Sequence, residues 1–396
     1  MSNLNYEAYG SQGRSARSQR AAFEAARRTA VARSRSRDIA VSCSRLCFDT
    51  AMGIFGKRED SLRSATALRE FWAWWNNTGA AQCAAVGTDD TAAMAEALAI
   101  RVDAISDGLA WEIAGGSSSA HVLVVSPDGD PELRSIARRW LKAAPEANLV
   151  WSYADSRQPV SDLAGYGLQI AGRDVAVRDV VVGVRRRASR LDVSVYHPLM
   201  ADLNDHEQMR LAFLALDAAL GEEATETWIG ELAPAQDAPL DGFGLSGLRA
   251  TVRELREEFI DEAGEPTWLV LQGDTPYGPL VASTQVPLAA AWAPELDTHI
   301  GVSIPYADQD ASGQPGPKSL GNLRALEDHV VARLEGQGRL VAHETTRGVR
   351  LLHLYVSRGT PAAEQVKAAV QAWDEGRVRV RAENDPGWAQ VQHLRG

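Results

Sequence analysis

At 396 residues the chain is long enough for two or three domains, taking roughly 150 residues as typical of one. Apolar residues at 45% and charged residues at 23% exclude a fibrous, coiled-coil or wholly disordered protein, and no apolar run approaches the about 18 residues of a spanning helix. A net charge of −11 argues against general affinity for nucleic acid or anionic membranes, and three cysteines are too few for a disulfide framework, which fits a reducing cytoplasm.

Residues 1–51 hold nine arginines against Glu7, Glu24, Asp38 and Asp49, a net of +5, which leaves −16 on the rest. Serine and arginine dominate this tail and large apolar residues are scarce, so it is expected to be disordered. A true start at Met52 is the simplest expectation, with a transit peptide or a nucleic-acid arm as alternatives. Cys43 and Cys47 lack a second pair and do not suggest zinc.

Patterned sequence begins near residue 61. Leu62, Leu68, Phe71, Trp72 and Trp75 recur at helical spacing, closed by Asn76 to Gly79. Thr88 to Thr91 offer an N-cap to a second helix striped by Met94, Leu98, Val102 and Ile105. Strands are expected over 109–114, 121–126 and 149–153, with a helix opened by Pro131 between the last two. A second ββαβ series follows: a hairpin over 175–184 and 190–196, a helix over 205–220, a strand over 225–232. A connector rich in Ala, Pro, Gly and Asp ends near 245, and Leu248, Val252, Leu255 and Phe259 then mark a helix. Two strands over 267–272 and 279–286 precede the clearest series: strand 299–305, helix 319–334, hairpin 339–344 and 349–356, helix 361–373, strand 378–382. That order is βαββαβ, the order of a ferredoxin-like sandwich. The fold class expected is therefore α+β in two domains, over 52–245 with internal ββαβ elements and 246–396 with the ferredoxin-like sandwich.

A resemblance supports the last part of this reading. A strand ending in Pro305-Tyr306, an acidic loop reaching Gly316-Pro317, a helix with Leu326-Glu327-Asp328, His343-Glu344, Leu354-Tyr355-Val356 and a late Asp385-Pro386-Gly387-Trp388 together resemble the domain-of-unknown-function 695 family of bacteria. The resemblance covers the C-terminal third, and Phe71 to Trp75 with the strands around 110–153 resemble the segment that often precedes that domain. In related bacterial proteins this domain is paired with a segment similar to the RNase E inhibitor family, so the resemblance implies a regulator and gives no mechanism.

Chemistry is sparse. There is no G-x-G-x-x-G, no phosphate-binding G-x-x-x-x-G-K-[ST], no H-E-x-x-H and no G-x-S-x-G. Asp308, Asp310 and Ser312 followed by Gly313 open like a calcium loop, yet the twelfth position is Ser319 where a Glu is needed. A turn that caps the next helix accounts for the same residues. His343 and Glu344 adjoin on one strand, with His353 on its hairpin partner; period two allows only one of them to share a face with His353. Glu327, Asp328 and His329 read as a solvated helix face, and Arg185, Arg186, Arg187 and Arg190 as an exposed hairpin tip or a patch for an acidic partner. Trp72, Trp75 and Trp140 read as core, and Trp388 as a pocket wall or a clamp on the tail.

The sequence thus favours a non-catalytic, cytoplasmic binding or regulatory module that contacts a protein partner, with no nucleic acid, membrane, cofactor, metal or catalytic residue assigned. The competing reading is a metal-dependent hydrolase built on Asp308 and Asp310 with His343 or His353.

Overall fold

A computed structural model describes residues 53–85, 91–116, 118–275 and 278–395; the expected tail over 1–51 and the Thr88 cap lie outside them. The chain divides into two compact units, one ending at Ser156 and one beginning at Arg157.

In the first unit, α1 (Gly53–Trp74) passes through a π turn at Trp75–Gly79 into α2 (Ala80–Ala85), followed by α3 (Thr91–Ile105). The helix expected to end at Gly79 therefore continues. Gly79 permits this because a Cβ there would lie 2.8 Å from the Trp74 ring, which packs against its backbone. Next come β1 (Ala110–Ala114), β2 (His121–Ser126), α4 (Arg134–Lys142) and β3 (Trp151–Ala154). β1 pairs antiparallel with β2, and α4 carries the chain across to β3, parallel to β2. The apolar stripes meet in a core of Phe71, Trp72, Trp75, Val102, Trp140 and Trp151, in which the Trp72 and Trp140 rings stack 4.8 Å apart.

The second unit opens with a small hairpin, β4 (Gly167–Ile170) and β5 (Arg173–Ala176), then β6 (Val181–Arg187) and β7 (Arg190–Tyr196). α5 (Asp205–Leu220) starts on a capping box in which Asn204 and Glu207 bond each other's backbone N–H. Where a strand was expected from 225, α6 (Glu222–Trp228) intervenes before β8 (Ile229–Pro234). The Thr225 hydroxyl donates to the Gly221 carbonyl at 2.8 Å, and burial of Thr225, Thr227 and Trp228 overrides their strand preference. β9 (Phe243–Gly244) completes a four-stranded sheet in the order β8-β7-β6-β9. α7 (Leu245–Phe259) buries Leu248, Val252, Leu255 and Phe259 in the core of that sheet.

The remaining strands are β10 (Thr267–Thr275), β11 (Gly278–Val286), β12 (Thr298–Pro305), β13 (Gly338–Thr346), β14 (Val349–Val356) and β15 (Arg379–Asn384), with α8 (Pro317–Arg333) and α9 (Ala362–Ala369) between them. They form one sheet in the order β10-β11-β13-β14-β12-β15, with every neighbour antiparallel. Both helices leave a strand and return two places away, so β14 lies between β12 and β13, and β12 between β14 and β15. One face packs Ile300, Val302, Ile304, Leu352 and Leu354 against Leu323, Val330 and Val366 of the helices. The opposite face is covered by the chain itself: Leu296, Val341, Ala342 and Tyr355 pack with Trp388, Val391 and Leu394 of the C-terminal segment. α9 stops at Ala369 and not near 373, because the Trp373 indole turns to donate to the Pro305 carbonyl at 2.8 Å. The molecule is thus mixed α and β, with several sheets.

Candidate functional site

Strand alternation gathers polar side chains on the covered face. On β14, Arg350, Leu352 and Leu354 face the helices, which leaves His353 and Tyr355 on the other side. On β12 the same logic places His299 there, beside Gly301, which pairs directly with His353. A Cβ at Gly301 would stand 3.2 Å from the His299 ring, so the glycine leaves space for the two imidazoles to meet. β13 is irregular: a bulge between Leu340 and Ala342 lets Val341 and Ala342 both join the covered face. After that shift Glu344 faces His353, and His343 falls beneath α8.

A continuous chain of hydrogen bonds results. His299 Nε2 lies 3.0 Å from His353 Nδ1, His353 Nε2 lies 2.9 Å from Glu344 Oε1, and His393 Nε2 lies 2.8 Å from the same oxygen. Because a carboxylate only accepts, His353 and His393 donate to Glu344 through Nε2. A neutral His353 then accepts at Nδ1 from the Nε2–H of His299. Glu383 Oε1, on β15, lies 3.8 Å from the remaining His299 nitrogen. The burial runs from His353 at 4% exposure to His393 at 45%, so the chain connects the interior of the face with solvent.

Electrostatics follow from this geometry. Burial, then the neighbouring His353, pushes His299 down to about 3, which keeps it neutral. Burial alone would raise Glu344, but hydrogen bonds from His353 and His393 outweigh it and hold the carboxyl at about 2. Burial, then the Asp385 carboxylate, raises Tyr355 well above the ordinary phenol range; its hydroxyl donates to Asp385 Oδ2 at 2.5 Å.

Asp385 and Trp388 fix the covering segment. The Asp385 carboxylate accepts from the N–H groups of Ala389 at 2.8 Å and Gln390 at 3.0 Å. The Trp388 ring stacks on Tyr355 with centroids 4.3 Å apart, and its indole donates to the Leu296 carbonyl at 2.8 Å. Of the two roles expected for Trp388, the clamp is the observed one.

The other residues singled out by sequence have structural duties. Asp310 Oδ1 accepts from Ser312 N at 2.8 Å, Ser312 Oγ at 2.7 Å and Gln314 N at 2.9 Å, an Asx-type turn. Asp308 Oδ2 accepts from Lys318 N at 3.1 Å at the start of α8, and Ser319 bonds both Asp308 N and Glu375. His343 lies on the face opposite His353, pushed down to about 4 by burial and then by Arg350. Glu327, expected on a solvated face, is instead half-buried: it bonds Arg350 at 2.7 Å and lies 3.5 Å from His343, because buried Arg350 requires a counter-charge. The arginine cluster is internally paired, Arg185 and Arg187 with Asp192 and Arg186 with both oxygens of Glu258. Burial pushes the Cys83 thiol up to about 11, away from nucleophilic use. An open depression of about 400 Å³, lined by Val184, Arg186, Phe243 and Glu258, shares no residue with the histidine chain. Among the described residues no three His, Cys, Asp or Glu side chains converge as metal ligands, and no helix is long and apolar enough to cross a membrane.

His299, His393 and Glu383 went unnoticed in the sequence. Strand alternation is the only signal for His299 and Glu383, His393 lies in a short 3₁₀ turn with none, and the partners stand 54 and 49 residues apart in the two outer links.

Residues 281–394, the C-terminal third, match DUF695, described as a family of unknown function, in agreement with the resemblance read from the sequence. The matched stretch contains the whole histidine chain. No curated protein and no solved structure matches the chain.

Proposed function

We propose that the chain is a non-catalytic, cytoplasmic binding or regulatory protein acting through contact with another protein, its C-terminal region a ferredoxin-like βαββαβ sandwich extended by the β10–β11 hairpin. One observation carries the reading: His299, His353 and Glu344, the groups best suited to acid–base work, bond one another beneath the chain's own C-terminal segment, and His393 of that segment bonds the same carboxylate. General acid–base catalysis needs such groups free to reach a substrate proton, and no hydroxyl or thiol nucleophile takes part in this chain of bonds. The hydrolase reading has less support, since the Asp308 and Asp310 carboxylates accept from N–H groups of their own loop and the next helix, and His343 and His353 each lie beside a glutamate, Glu327 and Glu344.

Two measurements test the proposal. Chromogenic ester, phosphate and glycoside substrates should give no turnover that disappears in His353→Ala. Cross-linking in cells of the native source should join this chain to another polypeptide. Turnover abolished by His353→Ala would overturn the reading.

A further inference from the structure

The two edges of the six-stranded sheet differ in kind. β15 carries Arg379, Arg381 and Glu383, charges of the sort that keep an edge strand from pairing. β10 carries a single charge, Asp274, next to its last residue. It pairs with β11 without a bulge along its whole length, Thr267 to Thr275, and among the described residues no strand lies on its other side. That side offers a row of backbone N–H and C=O groups, so the occupant it fits is another extended strand.

Side chains along this edge narrow the choice. Trp268 is 44% exposed and Val270 65%, large apolar groups on the same side as Gln272. From Thr267 to Gly273 the sequence has no charge, and this stretch is bracketed by Pro266 and Asp274, with Val270 at its midpoint. Antiparallel pairing of the stretch with itself about Val270 sets Val270 against Val270, Trp268 against Gln272 and Thr267 against Gly273. No like charges are opposed, although each chain carries −11 overall. Trp268 and Val270 of one copy then continue into Val270 and Trp268 of the other as a single apolar stripe. A two-fold interface needs this kind of self-complementarity.

We propose that β10 is a homodimer edge: two copies of this chain join antiparallel through β10, about a two-fold axis at Val270, so that the two sheets become one. The inference rests on the protein-contact reading above but lies outside the matched family stretch, which begins at residue 281.

Sedimentation velocity of the full chain over a range of concentrations tests it. Wild type is expected to be dimeric. Val270→Lys and Val270→Glu, each placing like charges across the axis, are expected to be monomeric while still melting cooperatively, with a midpoint that no longer depends on protein concentration, and Val270→Thr to remain dimeric. An equimolar mixture of the Lys and Glu variants should recover the dimer, because residue 270 meets its own counterpart. Should either variant unfold, Val270→Arg replaces the Lys variant and Val270→Asp the Glu variant, each with a monomer as its expected outcome. A monomeric wild type overturns the dimer, yet leaves protein contact standing if cross-links to a different polypeptide are found. A dimer that survives the charge variants, or a mixture that stays monomeric, overturns the β10 pairing and its register.

Discussion

Burial holds His299 at about 3 and His343 at about 4, whereas the same side chains in an unfolded chain titrate near 6.5. Below that value the unfolded chain takes up protons that the folded protein does not, so stability is fully present above it and falls as the pH drops toward 4 and 3. Glu344, at about 2 against an ordinary 4.5, adds a loss in the same direction at lower pH. Urea denaturation as a function of pH should show this decline, and His299→Gln and His343→Gln should each flatten it; an unchanged slope in both would contradict the burial argument. Replacing Glu344 by Leu strips the acceptor from buried His353 and is expected to cost about 2–4 kcal/mol. His393→Ala, at a half-exposed end of the chain, is expected to cost less than about 1 kcal/mol. Guanidinium melts would rank the two. The sequence offered His353 and Glu344 as neighbours on a hairpin, but their facing depends on the bulge at Leu340 and Ala342, which leaves no mark in the alternation of β13.

The covering segment is a short element with a large apolar load, since Trp388, Val391 and Leu394 are each buried. Trp388→Ala removes both the stack on Tyr355 and the bond to Leu296, and is expected to destabilise the second unit by about 3–5 kcal/mol. Chemical denaturation measures that loss, and a value near zero would remove the clamp from the account. The elements from β12 to β15 were legible because each has a clean period of its own: Ile300, Val302 and Ile304 alternate, and Leu323, Leu326 and Val330 recur at helical spacing. α6 was not legible, because Thr225 and Thr227 favour strands locally and only tertiary burial makes that stretch helical. The π turn was equally hidden, resting on the close approach of Trp74 to Gly79.

At the scale of the molecule, the first unit has its own tryptophan-rich core, while in the second the six-stranded and four-stranded sheets have joined interiors. Val286 of β11 is buried in the core of the four-stranded sheet, and Leu269 of β10 packs against it. A fragment over 157–396 is therefore expected to melt cooperatively by calorimetry, and a fragment over 266–396 at a lower temperature. Equal midpoints would mean that the shared contacts contribute nothing.

The hydrogen bonds from His299 through His353 and Glu344 to His393 tie β12, β14, β13 and the covering segment in a single line. Lifting the segment leaves Glu344 with one donor fewer and uncovers Tyr355 beside it, which weakens the strand beneath. Fraying therefore does not stop at the segment. Under native conditions the amides of β13, β14 and residues 389–394 should exchange with deuterium at a common opening rate, as one foldon. His353→Ala, which cuts the line at its centre, should let residues 389–394 exchange ahead of the strands.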